Sequence, residues 1–210
     1  MKRILCVGAR RGFGKAVGDL LSSQAVVYRT SRRYEDKEYE WKLDASLEDS
    51  RKAILQKIQQ TEITKVFYFA GGGPYGPFAL KQWKDHEWAW RVNFETPAFL
   101  LHAFLSGSVP QLEQVIFVGS GIAESQPDPG AASYSAAKHA LCGLITSLQK
   151  ESPPFDLRLF SPGYMDTEML PPNARPRQGG QRILNPQEMA VQFLKWTESK
   201  DDIGSHLVIK

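Results

Sequence analysis

The chain has 210 residues, 42% hydrophobic and 23% charged, with a formal net charge of +3. That length and composition suit an ordinary globular protein with one sizeable core, and they exclude a low-complexity or disordered chain. The charge is spread out rather than run together, so a nucleic-acid tail is excluded, and no run nears the ~18 apolar residues of a membrane span. Apolar runs of strand length fall at residues 4–7, 25–28, 65–69, 115–118, 157–160 and 206–209, with a short further strand expected before Asp44. Between them lie helical patterns at residues 15–23, 47–60, 82–106, 134–150 and 186–199, and Ser46 followed by Asp49 reads as a cap for the second. Near-continuous apolar strands alternating with helices predict an α/β fold, a Rossmann-like doubly wound parallel sheet with helices on both faces. No repeat or linker divides the chain, so residues 1–210 are expected to form one domain.

The amino terminus, K-R-I-L-C-V-G-A-R-R-G-F-G, runs from a strand into glycines and then a helix. Gly8, Gly12 and Gly14 give a G-x-x-x-G-x-G variant of the dinucleotide fingerprint. The first glycine permits the tight turn, the second admits a pyrophosphate to backbone amides, and the third lets helix pack on strand. At the end of the second strand the sequence is Y-R-T-S-R-R, with no acid before Glu35. A carboxylate there would hold the ribose 2′-hydroxyl of NAD; Ser31, Arg32 and Arg11 suit the 2′-phosphate of NADP instead. Further on, V-I-F-V-G-S ends in Ser120 and Y-S-A-A-K opens a helical pattern. Tyr134 and Lys138, four apart, share one helix face, where an ammonium lowers a phenol pKa that is ordinarily about 10.

These motifs, in this order, resemble the short-chain dehydrogenase/reductase family over nearly the whole length. G-A-R-R-G-F-G is similar to its nucleotide loop, F-A-G-G-G-P-Y-G-P-F to its fourth-strand motif and R-V-N-F-E-T-P to its central asparagine segment. V-G-S-G, Y-S-A-A-K and S-P-G-Y-M-D-T resemble its catalytic serine, its Tyr/Lys pair and its post-catalytic loop. The resemblance implies Asn93, Ser120, Tyr134 and Lys138 as the catalytic group, Asn93 positioning a water that links Lys138 to solvent. It implies a nicotinamide cofactor held by Gly8, Arg10, Arg11, Gly12, Phe13 and Gly14, with Asp44 at the adenine and Ala70, Gly71 and Gly72 along the adenosine half. Pro162, Gly163, Met165 and Thr167 would close over the nicotinamide beside Tyr134 and Lys138, and a short substrate loop is expected at about 164–185.

Four departures stand out. Val7 replaces a usual Thr, and Tyr68 and Phe69 replace an Asn pair, which reads as an apolar substitute for a structural hydrogen bond. Ser120 lies one residue further from Tyr134 than is usual, and Gly119 replaces a common serine.

The reaction implied is reversible hydride transfer between NADP(H), preferred over NAD(H), and a carbonyl, with Tyr134 as general acid, Ser120 on the carbonyl oxygen and Lys138 on the ribose. The alternative from another class is a non-catalytic NADP(H)-binding sensor. A third, an epimerase or dehydratase of a longer family branch, is disfavoured because nothing after Ile209 would build an added substrate domain. No metal is expected, since His86, His102, His139 and His206 are scattered. Arg175, Arg177 and Arg182 suit an anionic substrate or a solvated loop, and Tyr75, Phe78, Tyr164 and Met165 an apolar pocket or plain packing. The family's two-fold helix bundle implies a homodimer or homotetramer, from helices apolar on more than one face. With no nucleic-acid or membrane partner, no signal peptide after Met1, and Cys6 and Cys142 reading as buried thiols, a cytoplasmic location is expected.

Overall fold

The apolar runs assemble into a seven-stranded parallel sheet of order β3-β2-β1-β4-β5-β6-β7 in a computed structural model that describes residues 2–209. The strands are β1 Arg3–Val7, β2 Val26–Ser31, β3 Glu40–Lys42, β4 Lys65–Tyr68, β5 Gln114–Val118, β6 Asp156–Pro162 and β7 His206–Ile209. The order reverses between β1 and β4, so the loops leaving their carboxyl ends diverge and open a crevice there.

Helices cover both faces. One core, including Leu5, Val66, Val115 and Leu157, lies under α2 (Glu48–Gln60), α4 (Thr96–Leu105) and α6 (Ala132–Gln149). The other, including Ile4, Phe67, Ile116 and Phe160, lies under α1 (Gly12–Leu21) and α8 (Pro186–Glu198). Helix α8 starts as its sequence dictates: Asn185 accepts from the amides of Gln187 and Glu188, and Pro186 supplies a preset φ at the first turn. No helix among the described residues is long and apolar enough to cross a membrane.

The structure corrects several boundaries. The second strand extends to Ser31, because Arg29, Thr30 and Ser31 pair with β3, and α1 begins three residues early, at Gly12. Ser46 does not cap α2; its hydroxyl and amide both donate to Asp44 Oδ1, at 2.7 and 2.9 Å, and Leu47 is the cap residue. Three short helical segments were not anticipated: Phe78–Leu80, α5 (Gly121–Ser125) and α7 (Arg175–Gln178).

The pattern at residues 82–106 is a helix broken by a π segment, Arg91–Glu95, between α3 (Trp83–Trp90) and α4. The break has named partners. Tyr68 Oη donates to the carbonyl of Val92 at 2.7 Å, and Asn93 Nδ2 donates to Ala89 and Gly72 carbonyls, each at 2.6 Å. Tyr68 is therefore not a purely apolar substitute: its ring joins the core while its hydroxyl ties β4 to the widened turn.

Candidate active site

At the switch point β1 ends in Gly8, whose φ of +82° suits only glycine, and where a Cβ would come within 2.6 Å of the Ala70 backbone. The chain then enters α1 through Arg11, an extended cap residue with no side-chain cap. The first amides of α1 are thus left without a side-chain acceptor, which together with the helix dipole makes an anion cradle. Arg10, Arg11, Arg32 and Arg33 line the same end of a cleft of about 350 Å³. Arg32 lies over the Trp88 ring, 5.4 Å from its centroid. Arg11 lines that space too, but its guanidinium pairs with Glu168, another residue of the cleft lining. Asp44 lines the cleft beneath its bonds from Ser46, and Ser31 accepts from the Arg33 amide at 3.2 Å.

The other end is built from β5 and α6. Ser120 caps α5, its Oγ accepting from the Ala123 amide at 3.2 Å. Tyr134 stands in the first turn of α6, half-buried, and Lys138 follows one turn on, only 3% exposed. Lys138 Nζ lies 5.6 Å from the Tyr134 ring centroid and donates to the Val118 carbonyl at 2.6 Å. Burial raises the Tyr134 pKa to about 12, opposed by a hydrogen bond with Ser120 and reinforced by the Glu124 charge. Burial lowers Lys138 to about 8, against the pull of Glu124. In the chain by itself Lys138 is not among the groups that act on the Tyr134 phenol: its ammonium is turned to the Val118 carbonyl, and desolvation dominates both groups.

Every sequence-expected cofactor position except Lys138 lines this cleft, as do Ser120 and Tyr134. Lys138 and Asn93 stand behind it. Asn93 is fully buried, and besides its two donated bonds its Oδ1 accepts from the Gly72 amide at 3.3 Å, so its side chain clamps the glycine run to the π segment. Of the expected pocket aromatics, Tyr75, Tyr164 and Met165 line the cleft. Phe78 does not; it stacks on His86 at 4.1 Å.

The family model for short chain dehydrogenase matches residues 2–178. The chain belongs to that family. Over 184 residues it is 26% identical to the "cyclic-di-GMP-binding biofilm dispersal mediator protein" of Escherichia coli K12, covering 82% of this chain and 76% of that protein. Over 187 residues it is 26% identical to the 3-oxoacyl-[acyl-carrier-protein] reductase FabG of Haemophilus influenzae, covering 80% and 76%. A short chain dehydrogenase from Burkholderia cenocepacia J2315, solved in complex with NADP, superposes with a TM-score of 0.83 at 19% identity, covering 100% of this chain and 96% of that one.

Sequence reasoning missed two groups of this short-chain dehydrogenase. Glu124 Oε1 accepts from the Ser120 amide at 2.9 Å and from Ser161 Oγ at 2.8 Å, while Oε2 lies 3.2 Å from His206 Nε2. These bonds hold the Glu124 carboxyl below the usual carboxylate range despite burial. The histidines are thus not all isolated: the ligand atoms of His206, Glu124 and Cys142 lie within 4.8 Å of one another, gathered from β7, α5 and α6. Gly119 was the available signal. A Cβ there would lie 2.5 Å from Glu124 Oε1, so the missing side chain is the room the carboxylate occupies. The second group, around Asp128, forms the wall beyond Tyr134.

Proposed function

We propose that the protein is an NADP(H)-dependent reductase that converts an aldehyde or ketone to an alcohol. One observation carries this reading: Ser120 and Tyr134 line the same cleft as the uncapped start of α1. The residues fit a dinucleotide, since Gly8 admits backbone contact, the α1 amides and Arg32 suit phosphates, and Ala70 and Gly71 leave the β4 side of the cleft lined by small residues. When bound, the reduced cofactor supplies the hydride. Ser120 Oγ hydrogen-bonds the carbonyl oxygen, and Tyr134 Oη donates its proton as negative charge grows there. A phenol raised to about 12 stays protonated at neutral pH and so is available as the proton donor. Lys138, near 8, keeps most of its charge at neutral pH; to take the cofactor ribose, the role the family implies, its ammonium has to swing from the Val118 carbonyl into the cleft.

Arg32 in place of an acid supports NADP(H) over NAD(H), as does the NADP held by the Burkholderia relative. Free thiols at Cys6 and Cys142 support a reducing, cytoplasmic compartment. Exposed Trp83 at the start of α3, and Leu80 just before it, support a homodimer or homotetramer, which light scattering at micromolar concentration checks. The test of function is a panel of aldehydes, ketones and quinones followed by loss of NADPH absorbance. A second reading, a non-catalytic NADP(H)-binding sensor, draws on the biofilm dispersal relative. Tight NADPH binding with no turnover across the panel favours it.

A further inference from the structure

Beyond Tyr134 the cleft is walled by Tyr75, Asp128 and Tyr164, drawn from three distant loops. The loop holding Asp128 is fixed: the Ala131 amide donates to the Asp128 carbonyl at 3.0 Å, and the Gly76 amide donates to the Gly130 carbonyl at 2.8 Å. That second bond joins the Asp128 loop to the Tyr75 loop. It needs glycine, because a Cβ on Gly130 would meet the Gly76 backbone at 3.1 Å and φ there is +93°. Tyr75 Oη and Tyr164 Oη both approach Asp128 Oδ2 at 3.4 Å. Asp128 Oδ1 is buried and has no hydrogen-bond partner. The carboxylate acts on its neighbours: Tyr164 is pushed up to about 12, by burial first and by the Asp128 charge next.

Asp128 Oδ2, held only by two phenol contacts of 3.4 Å, keeps acceptor capacity for a donor supplied by a ligand in the cleft. A protonated nitrogen supplies it best, through a charge-assisted bond, and adjacent phenol rings favour a cation further. The loop arginines do not reverse this sign. None of Arg175, Arg177 and Arg182 lines the cleft. Arg177 pairs with Asp166 at 2.8 Å; Arg175 is exposed, gives its backbone amide to Tyr75 Oη at 3.2 Å, and its charge opposes the rise of the Tyr164 phenol as the smallest influence, behind burial and Asp128.

We infer that Asp128, with Tyr75 and Tyr164, is a cation subsite that selects carbonyl substrates carrying a protonated nitrogen, an ammonium or an amidinium. The inference rests on the reductase reading, and its test separates the two. NADPH consumption is compared for 4-(aminomethyl)acetophenone, its neutral isostere 4-ethylacetophenone and the anionic 4-acetylphenylacetate, with 4-acetylbenzamidine against 4-acetylbenzamide as the planar pair. The expected result is a kcat/KM at least about tenfold higher for a cationic member than for its neutral partner, the size of one charge-assisted contact. The Asp128→Asn variant should bring that ratio to about one, with NADPH affinity as the check on folding. If that variant loses NADPH, the wild-type ratio alone decides. Equal use of cationic and neutral ketones, preference for the anion, or a ratio that survives Asp128→Asn overturns the subsite. If no ketone is reduced, the reductase reading fails instead. Calorimetry on NADP⁺-loaded protein then judges the subsite: binding of the ammonium ketone but not the ethyl ketone, lost in Asp128→Asn, supports it, and no selectivity overturns it.

Discussion

The two ends of the cleft are made in opposite ways. The nucleotide end is mostly backbone and arginine, from the glycine turn with the start of α1 and the end of β2, with Asp44 and the small residues Ala70, Gly71 and Gly72 beside them. The substrate end is side chain on side chain, with Ser120, Tyr134, Asp128, Tyr75 and Tyr164 brought from separate loops and a carboxylate as its fixed charge. An anion cradle needs only amides and glycines in a set order, so one segment suffices to specify it. A site that places protons needs groups at angles no single segment supplies.

The sharpest way to break this comparison is at the proton donor. Tyr134→Phe should leave NADPH affinity intact while lowering turnover by about 10² to 10⁴-fold, the usual worth of general acid catalysis. Near-normal turnover in that variant would remove Tyr134 from the chemistry and leave the substrate end without an acid.

That contrast also governs what could be read without coordinates. The placing of Gly8, Gly12, Gly14 and Arg32 on the cleft was legible because it follows from local order where a strand ends, and the sheet followed from the apolar runs. Tyr134 and Lys138 were legible as a pair because helical spacing puts them on one face. Their protonation was not, since desolvation depends on what covers them: Lys138 lies under the glycine run, its ammonium at the Val118 carbonyl. Glu124, Ser161 and His206 meet only because β7 pairs with β6 and α5 packs against β6, and nothing in their spacing says so. The Ser46 cap failed for a related reason, as Asp44 competes for both its hydroxyl and its amide.

Lys138 gives the next largest effect, seen in stability rather than rate. Its folded pKa, near 8, lies below its ordinary 10.5, so between those values the unfolded chain binds more protons than the folded one. Stability contributed by this group therefore rises with pH across that window, and below about 8 its full cost is present. The total is about 3 kcal/mol. Cys6 and Tyr134, both raised to about 12, act in the opposite sense at the alkaline end, so the comparison is made against Lys138→Met. In urea unfolding, the variant's advantage at pH 7.5 should shrink by roughly that amount by pH 10.5. A constant difference would mean that the lysine is solvated.

A smaller effect tests the carboxylate behind Ser120. An alanine at Gly119 would press on Ser161 Oγ and lie 2.5 Å from Glu124 Oε1. Overpacking of this kind costs about 2 kcal/mol. Because Glu124 also holds the Ser120 amide, Gly119→Ala should lower turnover as well as the urea midpoint. Ser161→Ala in the same chain should recover part of the stability, a coupling of at least about 0.5 kcal/mol. Simple additivity of the two changes would show that the space at Gly119 is not set by this network.

The smallest expected effect bears on the nucleotide end. Its fixed charge is mostly positive, Arg10, Arg32 and Arg33 against Asp44, while the first acid after β2, Glu35, is exposed. A guanidinium matches phosphate geometry and stays charged at any working pH, so a 2′-phosphate gains there what a 2′-hydroxyl does not. One such contact supplies at least about 1.4 kcal/mol, a tenfold preference for NADPH over NADH. Arg32 is held over the Trp88 ring, which limits its freedom and makes it the arginine on which the preference should depend most. Arg32→Asp should erode or invert the ratio of dissociation constants, with little change in NADH affinity. Arg11→Ala should change that ratio less, because its guanidinium is already engaged by Glu168. Equal affinity of the unmodified protein for both cofactors would sink the assignment, and a larger response at Arg11 than at Arg32 would move the phosphate contact to the other lip of the cleft.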